Sequence, residues 1–142
     1  KKVKNIERLK FIDTSIALDL DSNAGVAAKV MGAVLGKASI KNPIDFGYWL
    51  SQIDTGLSYA DVGQKALDKV GLKTNDQIVS TLWKNVVGFT ASEIEKAPFI
   101  QMLVDGMKPG DLVVLAADTT FNTASINLVG LAQTGIEYIP VS

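Results

Sequence analysis

The sequence predicts a mainly α-helical protein in which a three-helix unit is duplicated, giving about seven helices, preceded by a short N-terminal β-hairpin. Between single glycines, apolar residues recur at the spacing of helices. Near the N-terminus they alternate with polar residues instead, which is typical of strands. The duplication is visible as landmarks that recur in order in repeats spanning 26–73 and 76–121: Val34-Leu35-Gly36 and Val86-Val87-Gly88, Trp49-Leu50 and Phe99-Ile100, Gly56 and Gly106, Ala66-Leu67-Asp68 and Ala116-Ala117-Asp118.

The composition indicates one folded domain and argues against several classes of site. A chain of 142 residues with 47% hydrophobic and 20% charged residues can bury a core without covalent cross-links. Its net charge of −1 gives no field that would attract nucleic acid, which needs clustered Lys and Arg. Because the sequence has neither Cys nor His, thiolate nucleophiles, Ser–His–Asp triads and histidine metal sites are excluded.

The first 22 residues are predicted to be the end of an upstream β region. Two short strands are expected between Asn5 and Leu20, with Asp13-Thr14-Ser15 as the turn between them. Two strands alone are marginal in water, so we expect them to complete an upstream sheet or to pack on the helices. Lys1 in place of Met suggests a piece of a longer chain. The helical domain then occupies residues 23–142.

The first repeat is predicted to hold three helices, ended by glycines at positions 36, 56 and 71. Asn42-Pro43 supplies an N-cap and a first-turn proline for the second helix, and Ser58 with Asp61 caps the third. The apolar stripes expected to face the core are Val26, Val30, Met31 and Val34, then Phe46, Trp49, Leu50 and Ile53, then Tyr59, Val62, Ala66 and Val70.

The helices of the second repeat are predicted from the same kinds of capping residues. Thr74 with Gln77, and either Thr90 with Glu93 or Ser92 with Glu95, form capping boxes, and Pro109 opens the third helix. A last helix is predicted over about 122–134, ended by Gly135 and followed by an extended run at 136–140. Apolar residues at helical spacing are mostly core, so Trp49 and Trp83 are interpreted as core anchors.

Asp19, Asp21 and Asn23 are the candidate metal ligands. Calcium loops place oxygen ligands at alternate positions because a tight turn brings them onto one ion. The sixth position here is Ala24 rather than Gly, and the twelfth is Val30 rather than Glu. The competing interpretation is a strand end followed by an N-cap, supplied by Ser22 or Asn23.

No catalytic residue is predicted. The sequence has no G-x-G-x-x-G loop, no Walker A loop and no S-x-x-K pair. A glycosidase-type pair of carboxylates stays open, because spatial neighbours are invisible in a sequence. Glu93 and Glu95 are available for such a pair, but they lie in a first helical turn, where acidic residues favour the helix dipole.

The order of these features resembles the DUF4214 family. In that family each repeat has a helix ending in a Val-Leu-Gly-like turn, a Tyr-Trp-Leu helix, a turn with Gly and Ser, and a helix ending near Leu-Asp. The second repeat departs from this pattern, with Phe99-Ile100 where the family tends to keep Tyr-Trp. The segments that carry the resemblance are Asn5-Ile6-Glu7-Arg8-Leu9-Lys10-Phe11, Ala17-Leu18-Asp19-Leu20-Asp21-Ser22-Asn23-Ala24-Gly25, Val34-Leu35-Gly36, Tyr48-Trp49-Leu50, Thr55-Gly56-Leu57-Ser58, Ala66-Leu67-Asp68 and Thr134-Gly135-Ile136-Glu137-Tyr138-Ile139-Pro140.

The resemblance implies a setting rather than an activity. Such domains occur in large secreted bacterial proteins, often just after RTX-type calcium-binding β-rolls, and in S-layer or adhesin-like surface proteins. It therefore implies an extracellular location at the cell surface, with Ca²⁺ held mainly by upstream repeats. The implied partners are neighbouring domains or copies of the same protein, or polysaccharide. The family carries no catalytic residues across.

Three hypotheses of function follow. The first is a non-catalytic structural or interaction module of a secreted surface protein, with no nucleic-acid partner and no transmembrane segment. The second is a carbohydrate-binding module in which Tyr48, Trp49 and Tyr59 form a sugar platform. The third is an accessory domain of a secreted hydrolase. Exposure of Trp49 discriminates the first two, because a buried ring favours the structural module and a solvent-facing aromatic row favours sugar binding.

Overall fold

The computed structural model describes residues 8–10 and 15–141 and confirms a mainly helical fold with an N-terminal antiparallel hairpin. The turn expected at Asp13 and Thr14 lies outside the described residues, and Ser15 already belongs to the second strand. In chain order the elements are β1 Arg8–Lys10, β2 Ser15–Ala17, α1 Asn23–Val34, a 3₁₀ helix Lys37–Lys41, α2 Pro43–Asp54, α3 Tyr59–Val70, α4 Asn75–Val87, α5 Glu93–Val104, α6 Pro109–Ala117, α7 Thr120–Ser125, α8 Leu128–Thr134 and β3 Ile136–Tyr138.

Helices α1 to α3 form the first repeat, and α4 to α6 form the second. Gly36 and Gly88 follow α1 and α4 with φ of 95° and 102°. Gly56 and Gly106 follow the C-caps of α2 and α5 with φ of 111° and 115°. Side chains are strained at these positive φ values, so both repeats use glycine after their first two helices. The recurring glycines of the sequence therefore share a positive φ, although ψ differs between Gly36 (151°) and Gly88 (−3°).

The two repeats contact each other through equivalent positions. Where α3 crosses α6, Gly110 faces its counterpart Ala60, and a Cβ on Gly110 would lie 2.3 Å from the Ala60 carbonyl oxygen. Where α1 meets α4, Nδ2 of Asn85 donates a hydrogen bond of 2.9 Å to the carbonyl oxygen of Ala33, which is also its counterpart. Equivalent residues meet in this way around a twofold axis. The duplicated unit thus packs as an approximate internal dimer.

Helix α1 lies at the centre of the core and is buried almost all round rather than along one stripe. Its small residues allow this close packing, because a Cβ on Gly25 or Gly32 would overlap the Leu20 carbonyl or the Ile126 side chain. Val26, which the sequence placed in the buried stripe, is only half-buried. A helix enclosed by neighbours on several sides has no single apolar face to predict.

Strand β3 completes a three-stranded antiparallel sheet with the order β1-β2-β3. Just beyond it, the N–H of Ile139 donates to the carbonyl oxygen of Pro43 at 2.9 Å. The chain crosses α2 so closely that a Cβ on Gly47 would lie 2.0 Å from the Ile139 carbonyl oxygen. The sequence predicted only an extended run here, because its partner strand lies at the other end of the chain. The hairpin is therefore joined to the helical part through a shared sheet.

The predicted last helix is two helices, α7 and α8. Asn127 separates them with φ 57° and ψ 52°, a left-handed conformation that asparagine tolerates better than other residues with side chains. Within residues 8–10 and 15–141 the α-helices therefore number eight, against the seven or so expected. The apolar spacing continued through this break, so periodicity alone did not reveal it.

Candidate functional site

Asp19, the first predicted metal ligand, is held by an arginine. Nε and Nη2 of Arg8 donate to its two carboxylate oxygens at 2.6 and 2.7 Å. The N–H of Ala24 donates to the same carboxylate at 3.2 Å, so Asp19 also caps the start of α1. Its side chain is only 3% exposed. A guanidinium and a helix N-terminus therefore already satisfy the oxygens that a cation would need.

The other two predicted ligands diverge from one another. Nδ2 of Asn23 donates to Asp54 at 2.9 Å, while Asp21 is exposed. Asp54 also accepts hydrogen bonds from Nη1 and Nη2 of Arg8, at 2.8 and 3.1 Å. The structure thus brings Asp19 and Asn23 into one network with Arg8 and Asp54 and leaves Asp21 outside it. Calcium binding at the predicted trio stays a prediction, and residues 8–10 and 15–141 contain no cluster of three acidic, His or Cys side chains that could hold a metal.

The hydrogen bonds of this network shift the pKa values of Arg8 and Asp54. The hydrogen bonds to Asp19 raise the pKa of Arg8 above its ordinary value, outweighing the opposite effect of burial. The hydrogen bond from Arg8 lowers the pKa of Asp54 below its ordinary value of 3.8, again against the effect of burial. Both shifts stabilise the charged forms. The network therefore ties β1 to the end of α2 by charge-assisted hydrogen bonds.

The predicted sugar platform is not an exposed aromatic row. Trp49 is 2% exposed, as expected of a core anchor. Tyr48 packs edge-on against it, with ring centroids 4.9 Å apart and ring planes at 82°. The Nζ atoms of Lys65 and Lys69 lie 5.9 and 5.1 Å from the centre of the Tyr48 ring. A sugar therefore has no access to the face of Trp49, and lysines cover Tyr48.

Tyr59 belongs to a separate cluster. Its hydroxyl donates to a carboxylate oxygen of Asp118 at 2.8 Å, and Nζ of Lys29 contacts the same oxygen at 2.9 Å. Burial, together with this hydrogen bond, raises the pKa of the Tyr59 hydroxyl. Burial alone would raise the pKa of Asp118, but the hydrogen bonds from Lys29 and Tyr59 lower it. This cluster links α1 and α3 to the end of α6. The Tyr59 hydroxyl already has Asp118 as its hydrogen-bond partner.

The two glutamates available for a glycosidase-type pair have structural partners. Glu93 lies 2.9 Å from Nζ of Lys96. Glu95 accepts a hydrogen bond from the N–H of Ser92 at 2.8 Å, and the Ser92 hydroxyl accepts from the N–H of Glu95, which completes the predicted capping box. Both acids therefore stabilise the start of α5.

A cavity of about 370 Å³ opens between α4, α5, α6 and α7, and we call it the second-repeat groove. Trp83, interpreted from the sequence as a core anchor, is only half-buried and lies in its wall. The Trp83 ring contacts Phe99 and Phe89 at centroid distances of 6.2 and 6.3 Å. Its Nε1 is buried and has no hydrogen-bond partner among the described residues. Other walls are Val79, Leu82, Leu112, Leu115 and Phe121.

The sequence reasoning missed both the Arg8–Asp54 contact and the second-repeat groove. The Arg8–Asp54 contact joins residues far apart in the chain, so no local sequence pattern predicts it. A signal for the groove did exist in the comparison of the repeats, because Leu115 and Thr119 take the positions of Lys65 and Lys69. A change from two charged to two uncharged side chains at these positions indicates a surface with a different use.

Comparison with protein-family models, with curated proteins and with solved structures finds no match for this chain. In the part of the chain that the structure describes, no helix combines the length and the apolar character needed to cross a membrane.

Proposed function

We propose that this chain is a non-catalytic interaction module of a large secreted bacterial cell-surface protein of the RTX, S-layer or adhesin type. The observation that carries the proposal is the second-repeat groove, a concave surface whose walls are apolar. Exposed apolar side chains continue it outward, with Phe121 at 63% and Leu115 at 46% exposure. Contiguous apolar surface of this kind marks sites of association with other macromolecules.

The secreted setting is supported by the resemblance of the duplicated helices and their flanking segments to the DUF4214 family. The acidic groups support a structural role, because Asp19, Asp54 and Asp118 are all engaged in ion pairs between distant segments. Such pairs hold elements together and leave these carboxylates satisfied. The buried ring of Trp49 favours this module over the carbohydrate-binding alternative.

Deletion of residues 23–141 from the full-length parent protein tests the proposal. We expect the truncated protein to be exported but to show a reduced cell-associated fraction, because the module would supply assembly or anchoring contacts. Unchanged surface retention would contradict the proposal. Retardation of the isolated chain in gels that contain surface polysaccharide would favour the carbohydrate-binding alternative instead.

A further inference from the structure

In the first repeat, the ring of Tyr48 fills the space beside α2 and α3. It packs edge-on against Trp49, with centroids 4.9 Å apart, and under the side chains of Lys65 and Lys69. The ring is half-buried by these neighbours. An aromatic side chain from the same chain is therefore part of the packing of this repeat.

The second repeat has a site equivalent to that of Tyr48, but no aromatic ring of the repeat fills it. The three neighbours of Tyr48 correspond, 50 residues later, to Phe99, Leu115 and Thr119, and all three line the second-repeat groove. Tyr48 itself corresponds to Pro98, which has no aromatic ring. The groove thus lies where the first repeat holds a tyrosine, and its apolar lining suits an aromatic side chain supplied from outside the repeat.

The chain carries such side chains beside the groove. Phe121 is 63% exposed at its rim, and Phe89 is 53% exposed next to Trp83. A projecting ring next to a hole on the same face is self-complementary, because a twofold rotation places each ring over the other copy's hole. The described walls carry no charge, so two copies approach without repulsion between these faces.

We propose that the second-repeat groove is a homodimer interface, in which Phe121 of each copy enters the groove of the other. The inference rests on the proposed interaction function and names the partner as a second copy of this chain. An aromatic side chain buries ~150–250 Å² when fully enclosed. Phe121 and Phe89 are already partly buried in one copy, so these two rings together bury less than the ~800 Å² per partner of a standard interface. The dimer is accordingly weak and reversible.

Sedimentation velocity over micromolar to millimolar concentrations tests the inference on the intact chain. We expect a monomer–dimer equilibrium that Leu115→Lys and Phe121→Ala each weaken by about tenfold or more. Both side chains are exposed in one copy, so the variants are expected to fold normally. The matched control is Val104→Lys, which adds the same charge at an exposed valine on α5 outside the groove and should leave association unchanged.

The indole N–H signals in nuclear magnetic resonance spectra provide a second readout. The signal of Trp83 should shift with protein concentration, while that of the enclosed Trp49 should not. A monomer at every concentration, a dimer indifferent to Leu115→Lys, or equal disruption by Val104→Lys would overturn the inference.

Titration with p-cresol, which mimics a tyrosine side chain, tests whether the second-repeat groove instead binds an aromatic residue of a different protein. A shift of the Trp83 signal with p-cresol in a chain that stays monomeric would overturn self-association and assign the groove to an aromatic residue of a different protein. That result would leave the interaction-module proposal in place, because the deletion experiment tests it separately.

Discussion

Gly110 in α6 lies against the carbonyl oxygen of Ala60 in α3, the residue that holds its own position in the first repeat. Two copies of a unit that meet at equivalent residues can approach only as closely as the smallest side chains there allow. The contact therefore sets the distance between the repeats, and it makes their packing sensitive to a single methyl group.

Gly110→Ala is expected to lower the free energy of unfolding by about 1–3 kcal/mol, because the new Cβ would overlap the Ala60 carbonyl group. Chemical denaturation measures the loss. The control is Asp111→Ala, which alters the adjacent, exposed residue in the same turn and should change stability by only about 0.5 kcal/mol. Equal effects of the two changes would contradict the close crossing.

The two tryptophans should differ in their contribution to stability. Trp49→Ala empties a fully enclosed site and is expected to cost about 3–5 kcal/mol. Trp83→Ala should cost less than about 2 kcal/mol, because the ring already borders an open groove. Denaturation of both variants under identical conditions measures the difference, and a loss for Trp83→Ala as large as that for Trp49→Ala would show that the groove is closed in solution.

Arg8→Ala should destabilise the fold by about 2 kcal/mol, since it leaves the enclosed carboxylate of Asp19 without its guanidinium. The expected loss is below that of a fully buried pair, because the Arg8 side chain is 26% exposed. Lys10→Ala, at an exposed position of the same strand, is the matched control. If both variants are equally stable, the network does not fasten the hairpin.

Asp54 is expected to make the free energy of unfolding decrease as the pH falls. Its pKa is lower in the folded chain than its ordinary value of 3.8, so its contribution is complete above that value and is lost as the pH falls through the folded pKa. Asp54→Asn should therefore flatten the decline in unfolding free energy below about pH 4. A decline below pH 4 that is as steep in Asp54→Asn as in the wild type would contradict the assignment.

The sequence was informative about most features that a few neighbouring residues decide. The capping box of Thr74 and Gln77 and the left-handed glycines at 56 and 106 occur where their residue types indicated. These features depend on a few neighbouring residues, and each is limited to particular side chains by backbone geometry. The class of fold followed from them, because two similar series of signals imply two similar units.

Features that depend on distant residues could not be predicted in the same way. The pairing of β2 with β3 and the ion pair between Arg8 and Asp54 join segments that no periodicity relates. The interpretation of Trp83 as core was wrong, because helical spacing shows which residues share a face but not whether a neighbour covers that face. The second-repeat groove arises from an absent ring, which only a comparison with the first repeat reveals.

The most direct test of this account compares Pro98→Tyr with Pro98→Ala. Both changes remove the proline inside α5, so the difference between them isolates the ring. If the second repeat keeps the packing of the first around an unfilled place, Pro98→Tyr will have the higher unfolding free energy, by about 1–2 kcal/mol, because its ring will fill the groove as Tyr48 fills the first repeat. Equal or lower stability of Pro98→Tyr would contradict the equivalence of the two repeats at this site.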